Sequence, residues 1–104
     1  MMKQVLVNYI VKPEKIGENI ALIKDVFLAL KSSRSKGVKY SVYRMGENVF
    51  IHIAQFETEE ANNEFRALEA FKAFRKDHSE RQVEKPITND IEEIGNFSSI
   101  SPIT

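Results

Sequence analysis

Two stretches of this chain are apolar on alternate residues and again on the residues between. Residues 4–11 read QVLVNYIV and Val49–Phe56 reads VFIHIAQF. Successive side chains of an extended strand point to opposite faces. Val5, Val7, Tyr9 and Val11 therefore share one face, and Leu6, Asn8 and Ile10 the other. Likewise Val49, Ile51 and Ile53 oppose Phe50, His52, Ala54 and Phe56. An antiparallel sheet with one wet face alternates apolar and polar residues along its strands. These strands do not, so the sheet they build must be covered on both sides. One layer of helices covers only one. The economical cover for the second is another copy of the chain, sheet against sheet, because a bare apolar patch of that size marks an interface. A homodimer is expected on this ground.

The remaining elements supply one helical layer. Lys12-Pro13 ends the first strand and suits the first turn of a helix. Ile16, Ile20, Ile23, Phe27 and Leu30 then recur at spacings of four and three, one stripe of an amphipathic helix that Leu22 and Val26 widen and that stops near Ser32-Ser33. Residues 38–44 (VKYSVYR) form a second strand joined to the third by the turn Met45-Gly46-Glu47-Asn48, where Gly46 and Asn48 tolerate positive φ. Thr58 caps a following helix whose first turn carries Glu59 and Glu60. Ala61, Phe65, Leu68, Phe71 and Phe74 advance mostly by three and would spread over more than half of a straight helix. A break near residues 68–70 is expected, with a second helix over 71–81. Residues 88–97 read as a fourth, weaker edge strand with Ile91, Ile94 and Phe97 as its apolar points. The order β-α-β-β-α-β is the ferredoxin-like plan, an α+β fold with an antiparallel sheet, helices on one face, and the first and third strands in the middle.

At 104 residues the chain suits a single domain, placed at 1–97, with a flexible tail over 98–104. Zero cysteine excludes disulfides, thiolate metal sites and a cysteine nucleophile. Fifteen basic against fifteen acidic residues argue against nucleic acid as a partner. The apolar run near the start is too short and too polar for a signal peptide, and no stretch approaches a membrane span. A cytoplasmic protein without membrane association is expected.

The chain resembles the antibiotic biosynthesis monooxygenase-like domains of the dimeric α+β barrel superfamily over about residues 3–97. Four stretches carry the likeness: Val11-Lys12-Pro13-Glu14-Lys15, the run from Gly37 to Arg44 (GVKYSVYR), the run from Phe50 to Ala61 (FIHIAQFETEEA), and Ala70-Phe71-Lys72-Ala73-Phe74. The resemblance implies a ferredoxin-like protomer pairing as a dimeric α+β barrel. It also implies a small monooxygenase without cofactor or metal, acting on a phenolic or quinol-like molecule in an apolar pocket between helices and sheet. In such chemistry the substrate supplies the electrons, and the protein holds an oxyanion and accepts a proton. A binding dimer without turnover and a haem-binding or haem-degrading relative are the alternatives. Asn8 falls where haem-degrading members have a functional asparagine, Phe65 where they have a tryptophan, and Arg75 where they have the axial histidine, which arginine cannot replace.

The candidate catalytic residues are accordingly Asn8, to hold the substrate oxygen or dioxygen, and His52 or His78, to take the proton. Each has a plainer reading: an asparagine satisfied within the sheet, a hydrogen-bonded core histidine, a solvated histidine at a helix end. Phe65, Phe71 and Phe74 are expected to form a ring-binding wall, with helix core as the competing reason for aromatics at that spacing. Tyr40 and Tyr43 lie on opposite sides of the second strand, and Tyr43 is taken as the substrate-binding one. Nothing in the sequence brings the two histidines together, so no metal site is expected.

Overall fold

The computed structural model describes residues 3–101, so the end of the proposed tail lies outside the described residues. The strands are β1 (Lys3–Ile10), β2 (Val38–Met45), β3 (Val49–Phe56) and β4 (Ile87–Asp90); the helices are α1 (Ile16–Ser33), α2 (Glu59–Ala67), α3 (Glu69–Arg75) and the single turn α4 (His78–Arg81). All strands pair antiparallel in the order β2-β3-β1-β4, with the first and third in the middle as expected.

Pro13 opens a short 3-10 turn that leads into α1. The stripe of α1 lies on the sheet, with Ile23 and Val26 buried and Ile16, Ile20, Phe27 and Leu30 packed around them. The core between the layers gathers Tyr9, Val11, Phe50, Phe56, Phe65 and Phe74 with these residues. The helical layer therefore covers the face that carries Tyr9, Phe50, His52 and Phe56. On the other face Leu6, Asn8, Ile10, Ile51 and Ile53 are half-buried, and Tyr43, Met45 and Ile87 are mostly exposed.

Thr58 caps α2 as read, its Oγ1 accepting from the Ala61 amide at 3.0 Å. Leu68 breaks the helix with extended backbone, φ −60° and ψ 131°. Gly37 adopts φ 70° beside Ala61, where an added Cβ would stand 3.3 Å from the Ala61 Cβ; glycine leads β2 because α2 comes so close.

Three expectations need correction. The helix expected over 71–81 is two pieces: α3 ends at Arg75, and Asp77 in the left-handed region (φ 59°) separates it from α4. The Arg81 side chain explains the arrangement, because it donates to the carbonyls of Phe74 and Lys76, which α3 leaves unpaired at its end. The fourth strand covers Ile87–Asp90 rather than 88–97, and residues 91–101 have no regular structure, with Ile94 and Phe97 fully in solvent. Asn48 does not adopt positive φ; its side chain donates to the Val11 carbonyl at 3.0 Å and ties the β2–β3 turn to the end of β1.

Candidate functional site

Antiparallel register decides which side chains meet on the helix-covered face. Val7 stands opposite His52, which stands opposite Val42, while Tyr9 and Tyr40 lie two residues along on either side. The two phenols converge on the imidazole from diagonal positions. Tyr9 Oη lies 2.7 Å from His52 Nε2, and Tyr40 Oη lies 2.7 Å from His52 Nδ1. From α1, Asn19 Nδ2 donates to Tyr9 Oη at 3.0 Å, and its Oδ1 accepts from Arg81 Nε at 3.2 Å. A continuous polar chain thus runs Arg81–Asn19–Tyr9–His52–Tyr40 through the core. Among the described residues no buried side-chain polar atom lacks a partner.

Burial sets the protonation of this chain. Desolvation first, and then the repulsion His52 would meet from a protonated His78, lowers the His52 pKa to about 4, so the ring is neutral at pH 7. Burial pushes Tyr9 up to about 12, against the opposing hydrogen bond from Asn19 and the charge of Arg81. Burial and the neighbouring Tyr9 push Tyr40 higher still. Both phenols stay protonated. A neutral imidazole has one N–H and each phenol one O–H, but only two gaps lie between the rings. With the proton on Nδ1, Tyr9 donates to Nε2 and Tyr40 keeps a spare O–H. With the proton on Nε2, Tyr40 donates to Nδ1 and Tyr9 keeps the spare. Either tautomer leaves one phenolic hydrogen for something outside the triad.

Both phenols line a cavity of about 540 Å³ between the sheet and the shorter helices. Its walls include His52, Phe65, Phe71, Phe74 and His78. The Phe65 and Phe71 rings lie 4.6 Å apart and Tyr40 and Phe65 lie 5.2 Å apart, an apolar surface suited to a flat molecule. His78 is half-buried, edge-on to Tyr9 at 4.7 Å. Its Nδ1 lies 2.8 Å from Gln82 Oε1, an acceptor, so Nδ1 carries the proton and Nε2 the lone pair. Burial first, then the charge of Arg81, lowers its pKa and keeps it neutral.

Five of the residues singled out in the sequence therefore meet at one cavity: His52, His78, Phe65, Phe71 and Phe74. Asn8 and Tyr43 do not. Asn8 pairs with Ile51 and Ile87, and Tyr43 pairs with Ile51, all on the face away from the helices. The tyrosine of β2 that reaches the cavity is Tyr40. Sequence reasoning does not single out Tyr9, Asn19 or Arg81. Tyr9 is in phase with His52's face, a signal the strand pattern contains. Asn19 occupies the apolar side of α1, where a polar residue calls for a partner. No group of three or more His, Asp or Glu able to hold a metal ion occurs among the described residues, and no helix is long and apolar enough to cross a membrane.

No family model and no curated protein matches the chain in sequence. Solved structures do match in fold. A proposed antibiotic biosynthesis monooxygenase from Caulobacter crescentus is 18% identical, with a TM-score of 0.75 over 90% of this chain and 91% of that one. A conserved protein from Methanosarcina mazei is 20% identical, with a TM-score of 0.74 over 89% of this chain and 93% of that one. A proposed antibiotic biosynthesis monooxygenase from Nitrosomonas europaea is 12% identical, with a TM-score of 0.74 over 89% and 90% of the two chains. The strand order and these similarities give the chain the ferredoxin-like fold that these structures share, among them proteins described as antibiotic biosynthesis monooxygenases.

Proposed function

We propose that this protein is a monooxygenase that needs no cofactor and oxidises a small phenolic or quinol-like molecule in the cavity under α2 and α3. The observation that carries the reading is the aromatic cavity with one spare phenolic O–H at its inner wall and a lone-pair nitrogen, His78 Nε2, on another. The ring of the substrate lies against Phe65, Phe71 and Phe74. Its oxygen accepts the spare hydrogen of Tyr9 or Tyr40, and its proton passes to His78. His52 is not the base, because both its nitrogens are engaged by phenols; it orients them. The resulting phenolate is electron-rich enough to reduce dioxygen. For a phenol with a free para carbon, one oxygen atom becomes the new carbonyl and the other leaves as water with the two hydrogens lost. The solved structures of the same fold that are assigned as monooxygenases support this class of reaction.

The protein works as a homodimer in this reading. A second copy covers the half-buried face around Leu6, Ile10, Ile51 and Ile53, which leaves the helix side for the ligand.

Oxygen-electrode assays with 1-naphthol and a panel of quinols test the proposal. Oxygen uptake with matching quinone formation, lost in His78→Ala, supports it. Thermal stabilisation by the same compounds without uptake points instead to a small-molecule binding dimer, and neither effect rules out both.

A further inference from the structure

Arg81 is 2% exposed and Asn19 fully buried. A buried cation is costly unless a counter-charge or good hydrogen bonds offset the loss of water. All three hydrogen-bond partners of this guanidinium are neutral oxygens, Asn19 Oδ1 and the carbonyls of Phe74 and Lys76, and its carbon lies 5.2 Å from the centroid of the Phe74 ring. No carboxylate pairs with it among the described residues. Its positive charge therefore has no anionic partner, and it stands one asparagine away from the Tyr9 hydroxyl on the cavity wall.

The rest of the cavity adds charge of the same sign. Lys3 from β1, Arg66 from α2 and Arg75 from α3 line it, against Asp90 from β4. None of the three has an ion-pair partner among the described residues, and Arg75 lies 5.9 Å over the Phe71 ring. His52 and His78 are the other titratable groups on the wall besides the two phenols, and both are neutral at pH 7. The chain as a whole has formal charge zero, so this concentration is local. A concave site with apolar walls and one sign of charge focuses its potential on whatever enters.

We propose that the cavity selects ligands with a negatively charged oxygen at its inner end, and that Arg81 is the positioning residue for that charge, acting through Asn19 and Tyr9. The inference deepens the reading of the cavity as a ring-binding site and rests on it. It names the bound form of the substrate as the phenolate or an equivalent aromatic anion. Asn19 holds its amide N–H toward Tyr9 because Arg81 occupies its carbonyl oxygen, and Tyr9 in turn keeps its hydroxyl available to the triad. Arg66, Arg75 and Lys3 act at longer range, in solvent, where salt screens them.

A chromogenic nitrophenol whose phenolate absorbs in the visible reads the effect directly. Bound to the unmodified protein, it is expected to lose its proton at least one pH unit below the free probe, a tenfold preference for the anion. Desolvation alone would shift it the other way. Asn19→Asp supplies the missing counter-charge while keeping the shape, and is expected to remove most of the preference in a folded protein. Arg81→Met is expected to do the same. Arg66→Gln with Arg75→Gln is expected to remove the part that salt also removes. A bound probe that titrates at or above the free value overturns the inference and leaves the ring-binding reading standing. An unchanged preference in Asn19→Asp overturns it as well. Failure of the probe to bind in either form overturns both.

Discussion

The two faces of the central strands differ in what they do with polar groups. On the helix side, Tyr9, His52 and Tyr40 form a chain in which every nitrogen and oxygen has a partner and one hydrogen remains. On the open side, Asn8 and Tyr43 stand among isoleucines with more contact to solvent, and Tyr43 is 58% exposed. Adjacent residues of one strand thus serve separate purposes. A face closed by a helical layer can organise protons, because low dielectric makes each hydrogen bond specific and each missing one expensive. In the proposed homodimer the open face needs only shape and apolar area.

Substitutions that respect this division separate the two roles. Phe74→Ala on the covered face should cost the most, about 3–5 kcal/mol of stability for a buried aromatic, visible as a lower urea midpoint. Next comes His52→Leu. It takes the imidazole partner from the Tyr40 hydroxyl and leaves Tyr9 with Asn19 alone, at about 1–3 kcal/mol, and should also abolish binding of an aromatic probe such as 1-naphthol. Asn8→Leu, on the opposite side of the same sheet, should leave that binding unchanged.

The pH dependence of stability isolates His52 more finely. Its pKa is about 4 in the folded protein against 6.5 ordinarily. The unfolded chain therefore takes up a proton first as pH falls. Stability is full above pH 6.5 and is lost progressively between 6.5 and 4. By pH 5 the loss should be about 2 kcal/mol. Urea titrations at pH 7 and pH 5 should show a smaller difference in His52→Gln than in the unmodified protein, with the shift of His78 common to both. The smallest effect belongs to Tyr43→Ala on the open face, within about 0.5 kcal/mol for unfolding of the protomer. The change should appear instead as weaker self-association in sedimentation.

The architecture was legible because it rests on periodicity. Strand alternation, the stripe of α1, the Thr58 cap and the break at Leu68 are local patterns, and each appears where the residues require it. The site was half legible. Phe65, Phe71, Phe74 and the two histidines could be suspected from residue type, but the choice between Tyr40 and Tyr43 depends on which strand face the helices cover. No local pattern states that. Asn8 is ambiguous for the same reason: a polar residue in a central strand looks functional until the covered face is known. Arg81 was hidden more deeply. Its sequence neighbours are polar, and only the chain reversal at Lys76 and Asp77 turns it inward to the end of α3. The short β4 was overextended because Ile91, Ile94 and Phe97 imitate an edge strand, although Ile94 and Phe97 stand in solvent.

Leu68 has a consequence of its own. Phe65 and Phe71 are six residues apart, which on an unbroken helix would set them about 120° apart around the axis. With Leu68 extended, their rings are 4.6 Å apart. The residue acts as a phase shift between two periodic segments, so the aromatic wall depends on the length of the chain there as much as on its side chains. Deleting one residue at this point would remove little mass from the core. It would let the two helices run on as one, and five helical steps would set Phe65 and Phe71 about 140° apart.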